Sequence, residues 1–147
     1  WFNRKLIAVR TSRHDDIFNG VDELIFDKET KTPLAAIDAT TNWKDKTGDF
    51  AEKIKNGARV KYGFGFENGI WQKKSYYNLP FFIISVNNEE LLEVLKNIEK
   101  EELSYEGRLI QDKIIKDLKS QSEKFPESAS PKLKSAYAQA GEIFEKL

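Results

Sequence analysis

The chain changes periodicity at Asn87, and this change constrains its fold more than any other feature. Before it, short apolar runs recur between turn signals. After it, apolar residues recur at helical spacing to the end of the chain. The early runs are "RKLIAVRTS" (4–12), "VDELIF" (21–26), "LAAIDAT" (34–40), "ARVKYGFGF" (58–66) and "PFFIISV" (80–86), and each reads as a strand. "HDDIFNG" reads as a loop closed by the Asn19-Gly20 turn signal, and Pro33 suits the first position of a strand. A short helix is expected over 49–55, with Phe50 and Ile54 on its apolar stripe and Asn56-Gly57 as its stop. Gly63 and Gly65 suggest bulges or bends, and "ENGI" a hairpin turn from which "WQKKSYY" pairs back. The run 80–86 is the most apolar and reads as a buried central strand.

Beyond it, Leu91, Leu92, Leu95 and Ile98 form one helical stripe behind an Asn cap. Leu109, Ile110, Ile114 and Leu118 form a second. Leu133, Tyr137, Ala140 and Phe144 form a third, opened by Ser130-Pro131 as cap and first helical residue. The order predicts an α/β (mixed α+β) chain: a three-strand meander, a crossover helix into a mixed sheet, and a C-terminal helical segment. At 147 residues it is expected to be a single domain over 1–147, with a core of about 4–87 and helices over 88–147. It opens at Trp1 and contains no methionine, which leads us to expect an N-terminal truncation.

Hydrophobic residues make up 39% and charged residues 33%, which excludes a disordered composition. No apolar run approaches the about 20 residues a bilayer crossing needs, and no signal-peptide pattern opens the chain. The absence of cysteine rules out disulfides and thiolate metal sites and permits a reducing compartment, so a cytoplasmic location is expected. The formal net charge is zero, which argues against a strong nucleic-acid binder. The charge is uneven, however. From Thr41 to Tyr76 eight Lys/Arg stand against four Asp/Glu, and from Asn88 to Glu127 seven stand against eleven. A basic middle and an acidic tail could orient the molecule toward a polyanion, or be two solvated faces.

The hairpin "VDELIFDKETKTPLAAIDAT" carries the chemistry. Centred on Thr30, it sets Phe26 opposite Leu34, Leu24 opposite Ala36, and Asp22 opposite Asp38. Opposed side chains have β-carbons about 4.5–5.5 Å apart, so two carboxylates there repel unless a cation lies between them. Magnesium, held by one or two carboxylates plus water and phosphate oxygens, is the natural remedy. The alternative is that Asp22 is a turn residue and Asp38 an exposed strand end. Asp15 and Asp16, in the preceding loop, either supplement the acids or bond their own backbone.

"GVDELIF…AAIDAT" resembles the core of the PD-(D/E)xK nuclease superfamily, the restriction-endonuclease-like fold, over about two-thirds of the chain. The resemblance implies a phosphodiester hydrolase, a metal-dependent nuclease on DNA or RNA, with Asp22 and Asp38 as catalytic acids. Magnesium or manganese would be held by Asp22, Asp38 and Asp16. Thr40 stands where the family has lysine. The replacement is expected to be Lys61, on a strand expected beside the third, with Lys44 behind it; Lys61 as a solvated strand lysine is the alternative. Arg10, Arg13, Lys44, Lys46, Lys73 and Lys74 could track a phosphate backbone. Trp43, Trp71, Tyr76 and Tyr77 could stack on bases, or pack in the core. The missing motif lysine also admits a catalytically inactive nuclease-like fold that binds nucleic acid or protein. A protein partner or a second copy could then dock on the C-terminal helices.

The other catalytic signatures fit poorly. His14 is the only histidine and has no G-x-S-x-G elbow to serve. There is no H-E-x-x-H zinc motif and no P-loop.

Overall fold

A computed structural model describes Phe2 and residues 5–41, 47–97, 102–124 and 127–147. Strands β1 (Leu6–Arg10), β2 (Glu23–Asp27) and β3 (Pro33–Thr40) come first, then helix α1 (Thr47–Asn56). The hairpin strands β4 (Ala58–Glu67) and β5 (Ile70–Leu79) follow, then β6 (Phe81–Ser85). Helices α2 (Asn88–Asn97), α3 (Tyr105–Glu123) and α4 (Pro131–Glu145) close the chain. The fold is mixed α+β, and its element order is the one the apolar pattern predicts. No helix among the described residues is long and apolar enough to cross a membrane.

The main sheet has the order β1-β2-β3-β6. β1, β2 and β3 form an antiparallel meander, and β6 runs parallel to β3. β4 and β5 make a separate two-stranded sheet. Lys61 therefore does not lie on the strand beside β3, where sequence reasoning put it. That place belongs to β6, and β4 instead bends over one face of the sheet. The bends come at register shifts between Ala58 and Val60 and between Val60 and Gly63, so the bulge expected at Gly63 is present. Gly65 lies in regular pairing, but a Cβ there would strike the Tyr76 hydroxyl, so its need is for space.

Alternation along the strands divides the core in two. On one face, Ile25, Leu34, Ala35, Ile37 and Phe82 pack under α3 and α4 through Ile110, Ile114, Leu118, Leu133, Tyr137 and Phe144. On the other, Leu24, Phe26, Ala36, Phe81 and Ile83 meet Phe50 of α1 and Ala58, Val60, Tyr76 and Leu79 of the hairpin. Neighbours Phe81 and Phe82 split between the layers. Phe81 stacks on Phe50 at 5.7 Å, and Phe82 meets Tyr137 and Phe144 edge-on, each at 5.3 Å.

The run expected to be a central strand, β6, is an edge strand. Its outward backbone groups are closed by side chains instead of a further strand. The Tyr137 hydroxyl accepts from Phe81 N (2.9 Å) and donates to Phe81 O (3.1 Å). Gln121 accepts from Ile83 N through Oε1 (2.9 Å) and donates to Ile83 O through Nε2 (2.8 Å). Lys113 Nζ reaches Ser85 O at 3.4 Å. Apolar content alone cannot distinguish this arrangement from a central strand, because both leave the residues buried.

The helix caps follow the sequence. Asn87 and Glu90 bond reciprocally ahead of α2, Asn87 Oδ1 accepting from Glu90 N and Glu90 Oε2 from Asn87 N. Ser104 and Ser130 accept from Gly107 N and Leu133 N, and Pro131 follows Ser130 as the first helical residue.

Candidate functional site

The β2–β3 register sets Leu24 against Ala36 and Glu23 against Ile37, as the alternation predicts. A bulge between Ile25 and Phe26 sets Phe26 against Pro33, and Leu34 turns toward the α3–α4 face. At the acidic end the paired register stops at Glu23 against Ile37, and Asp22 shares Ile37 with Glu23 instead of stepping on to Asp38. Asp22 N donates to Ile37 O at 2.8 Å, and Asp22 Oδ2 accepts from Ala39 N at 2.8 Å. Asp38 is only 3% exposed, so it is not the solvated strand end of the alternative reading. It follows Ala36 in alternation, on the face covered by α1 and the hairpin.

Helix α1 brings a lysine to this end of the sheet. Lys53 Nζ donates to Gly20 O at 3.2 Å and lies 5.0 Å from the Phe81 ring centroid and 5.8 Å from that of Phe50. Gly20 adopts φ +53°. A Cβ on it would collide with Lys53 Nζ and stand 3.7 Å from Asp38 Oδ2. The ammonium and the buried carboxylate thus crowd the same side of one glycine. Sequence reasoning missed Lys53 because a lysine among "EKIK" reads as the polar face of an amphipathic helix. The one available signal was its place between Phe50 and Ile54, at the border of the apolar stripe.

Asp15 and Asp16 separate in role. Both lie in a π-helical turn, Asp15–Asn19, ended by left-handed Gly20. Asp15 is fully buried. Its carboxylate accepts from Lys61 N (2.7 Å), Tyr62 N (2.9 Å), Ser12 Oγ (2.8 Å) and Asn19 Nδ2 (2.6 Å). Burial pushes its pKa up, but the bonds from Lys61, Tyr62, Ser12 and Asn19 together bring it below the ordinary value. Asp15 therefore bonds side chains of its own loop and, in place of the loop backbone that one sequence reading has it bond, the β4 amides, which pins the loop to β4. Asp16 Oδ2 lies 4.0 Å from Arg10 Nη2. Among the described residues no group of three or more His, Cys, Asp or Glu side chains is placed to hold a metal ion, so Asp16 does not complete a triad with Asp22 and Asp38.

Lys61 is exposed on β4. Its amide is bound to Asp15, and its ammonium lies 4.8 Å from the Tyr62 ring centroid. Between the π-turn and α1 opens a cavity of about 450 Å³, lined among others by Ile17, Phe18, Gly20, Glu52, Lys53 and Arg59. On the opposite face of the sheet, Glu23 lines an apolar cavity of about 280 Å³. Burial, then the charge of Asp22, raises its pKa against the pull of Arg10.

Several residues that could contact nucleic acid also have partners within the fold, and of those named next Trp71 and Lys74 remain exposed. Tyr76 is buried and donates to Phe64 O at 2.9 Å. Trp71 packs edge-on against Phe26 (5.1 Å) and Phe66 (5.5 Å). Lys74 pairs with Glu67 across the hairpin. Arg13 and Lys73 are exposed, as are Arg10 and Tyr77, and Arg59 lies 5.2 Å over the Tyr77 ring. Trp43, Lys44 and Lys46 lie outside the described residues. No family model matches the chain, and no curated protein or solved structure does.

Proposed function

We propose that the chain is a metal-dependent phosphodiester hydrolase acting on nucleic acid, with Asp22 and Asp38 as the metal-holding acids and Lys53 as the catalytic cation. The observation that carries this reading is the approach of the Lys53 ammonium and the buried Asp38 carboxylate to Gly20, two residues before Asp22. The meander, the crossover through α1 and the parallel β6 also follow the order expected of a restriction-endonuclease-like core.

The donor set suits magnesium or manganese, which accept one or two carboxylates and complete their shell with water and phosphate oxygens. When bound, such an ion acidifies a water and neutralises charge on the phosphate. The chain's own residues do the rest. Asp38 supplies a carboxylate in a low-dielectric setting. Asp22 is oriented by the Ala39 amide. Lys53, held by the Gly20 carbonyl and the Phe81 face, stands ready to stabilise negative charge growing on the phosphoryl oxygens. It takes over the role that Thr40 cannot fill, in place of Lys61.

The test is a cleavage assay on single- and double-stranded DNA and RNA with manganese. Wild type is expected to cleave, Asp22→Ala/Asp38→Ala to be inactive, and Lys53→Ala to lose about 100-fold or more, with Lys61→Ala close to wild type. Cleavage that survives the double substitution would overturn the reading. Manganese is also expected to raise the thermal midpoint of wild type but not of Asp38→Ala. One contact favours a second reading, a binding module without catalysis: Asp22 Oδ2 already serves the Ala39 amide. That reading predicts no manganese shift and no cleavage.

A further inference from the structure

The turn that carries Gly20 also carries an aromatic surface that the proposed hydrolysis does not use. Phe18 is 75% exposed, which is unusual for a phenylalanine held in ordered backbone. It does not stand alone. The His14 ring lies 5.0 Å from Phe18 and 5.2 Å, edge-on, from Tyr62, itself 45% exposed. Lys61 Nζ sits 4.8 Å from the Tyr62 ring. Two elements far apart in sequence, the π-turn and β4, thus present a common aromatic and cationic surface. Their join is the buried Asp15 carboxylate, bound to the amides of Lys61 and Tyr62 and to Ser12 and Asn19. A fully buried charge with all four partners in place fixes the turn against the strand, so little order is lost when a ligand stacks there.

Beside this surface, Phe18 forms one wall of the cavity of about 450 Å³ that reaches Lys53 and Gly20, with Arg59 also lining it. Its volume is within the about 300–1,000 Å³ usual for a small-molecule site, which is room for one nucleotide and not for a duplex. The cavity joins exposed π-faces at its rim to cations at its wall. A strand with its bases unstacked supplies both complements, flat faces and phosphates, whereas a duplex keeps its base faces paired and stacked.

We infer that the surface formed by Phe18, His14 and Tyr62, flanked by Lys61 and Arg59, is a stacking platform that selects single-stranded nucleic acid and feeds its phosphate toward Lys53. This rests on the hydrolase reading for what happens to the phosphate, but the stacking itself does not depend on it. The test separates the two. Binding is measured by fluorescence anisotropy in EDTA, where no metal-dependent cleavage can occur. The probe is a labelled oligonucleotide of about 12 nucleotides, used alone and annealed to its complement.

Wild type is expected to bind the single strand at least about tenfold more tightly than the duplex. Phe18→Ala should lose about tenfold on the single strand, and Phe18→Trp should retain affinity. Tyr62→Ala gives a second, independent loss. Equal affinity for single strand and duplex, or full affinity in both alanine variants, would overturn the platform, whatever the cleavage assay shows. Single-strand binding that depends on Phe18 in a protein that cleaves nothing with manganese would sustain the platform and overturn the hydrolase.

Discussion

Gly20 is the residue on which the candidate site turns. Its φ of +53° strains any side chain, and the space a Cβ would occupy belongs to the Lys53 ammonium. Gly20→Ala is expected to cost about 1–2 kcal/mol in urea unfolding from the left-handed backbone alone, and to lower cleavage further by moving Lys53. Asp15 is the second such residue. Because its folded pKa lies below the ordinary value of 3.8, it contributes stability that is complete above that value and is lost as pH falls through the folded pKa. Asp15→Asn cannot accept from both the Lys61 and Tyr62 amides, and should cost about 3 kcal/mol at pH 7. The gap between the two proteins should close in urea titrations taken below the ordinary carboxylate range. The pairing of Leu24 with Ala36 was legible in the sequence because a strand's side chains alternate and a hairpin fixes its own register. The part played by Lys53 was not. A helix's rotation over a sheet is set by packing between distant layers, and no local pattern encodes it.

Among the elements, β6 shows the limit of reading burial from composition. Its apolar run correctly announced a strand covered on both faces, but not its place at the edge. The residues that close that edge, Gln121 and Tyr137, lie on helices whose sequence reveals only their apolar stripes. Gln121 continues the stripe of Ile110, Ile114 and Leu118, three residues beyond Leu118, but its polar amide reads as the stripe's end. Gln121→Leu leaves the amide and carbonyl of Ile83 without their partner, and is expected to cost about 2 kcal/mol. The same variant should speed hydrogen exchange at the Ile83 amide and promote strand addition at β6, seen as aggregation at high concentration. Unchanged exchange at Ile83 would show that the edge is protected by something other than this side chain.

At the scale of the whole molecule, Tyr137 belongs to the α3–α4 core and bonds the backbone of Phe81, whose side chain lies in the other core. Burial raises its pKa to about 12 against the lowering effect of its bond to Phe81. The shift is upward for an acid, so the folded state favours the neutral hydroxyl, and stability is lost as pH rises from the ordinary value of 10.0 through 12. Tyr137→Phe should flatten this alkaline decline in urea midpoints, while costing about 1–2 kcal/mol at pH 7 for the unpaired Phe81 amide. The same hydroxyl lies 3.5 Å from Ile54 O, the residue after Lys53. One phenolic oxygen therefore splices the helical roof to the rod that carries the ammonium. A substitution that resettles the roof is transmitted as a change in where that positive charge stands, so α4 and α1 are not free to vary independently in evolution.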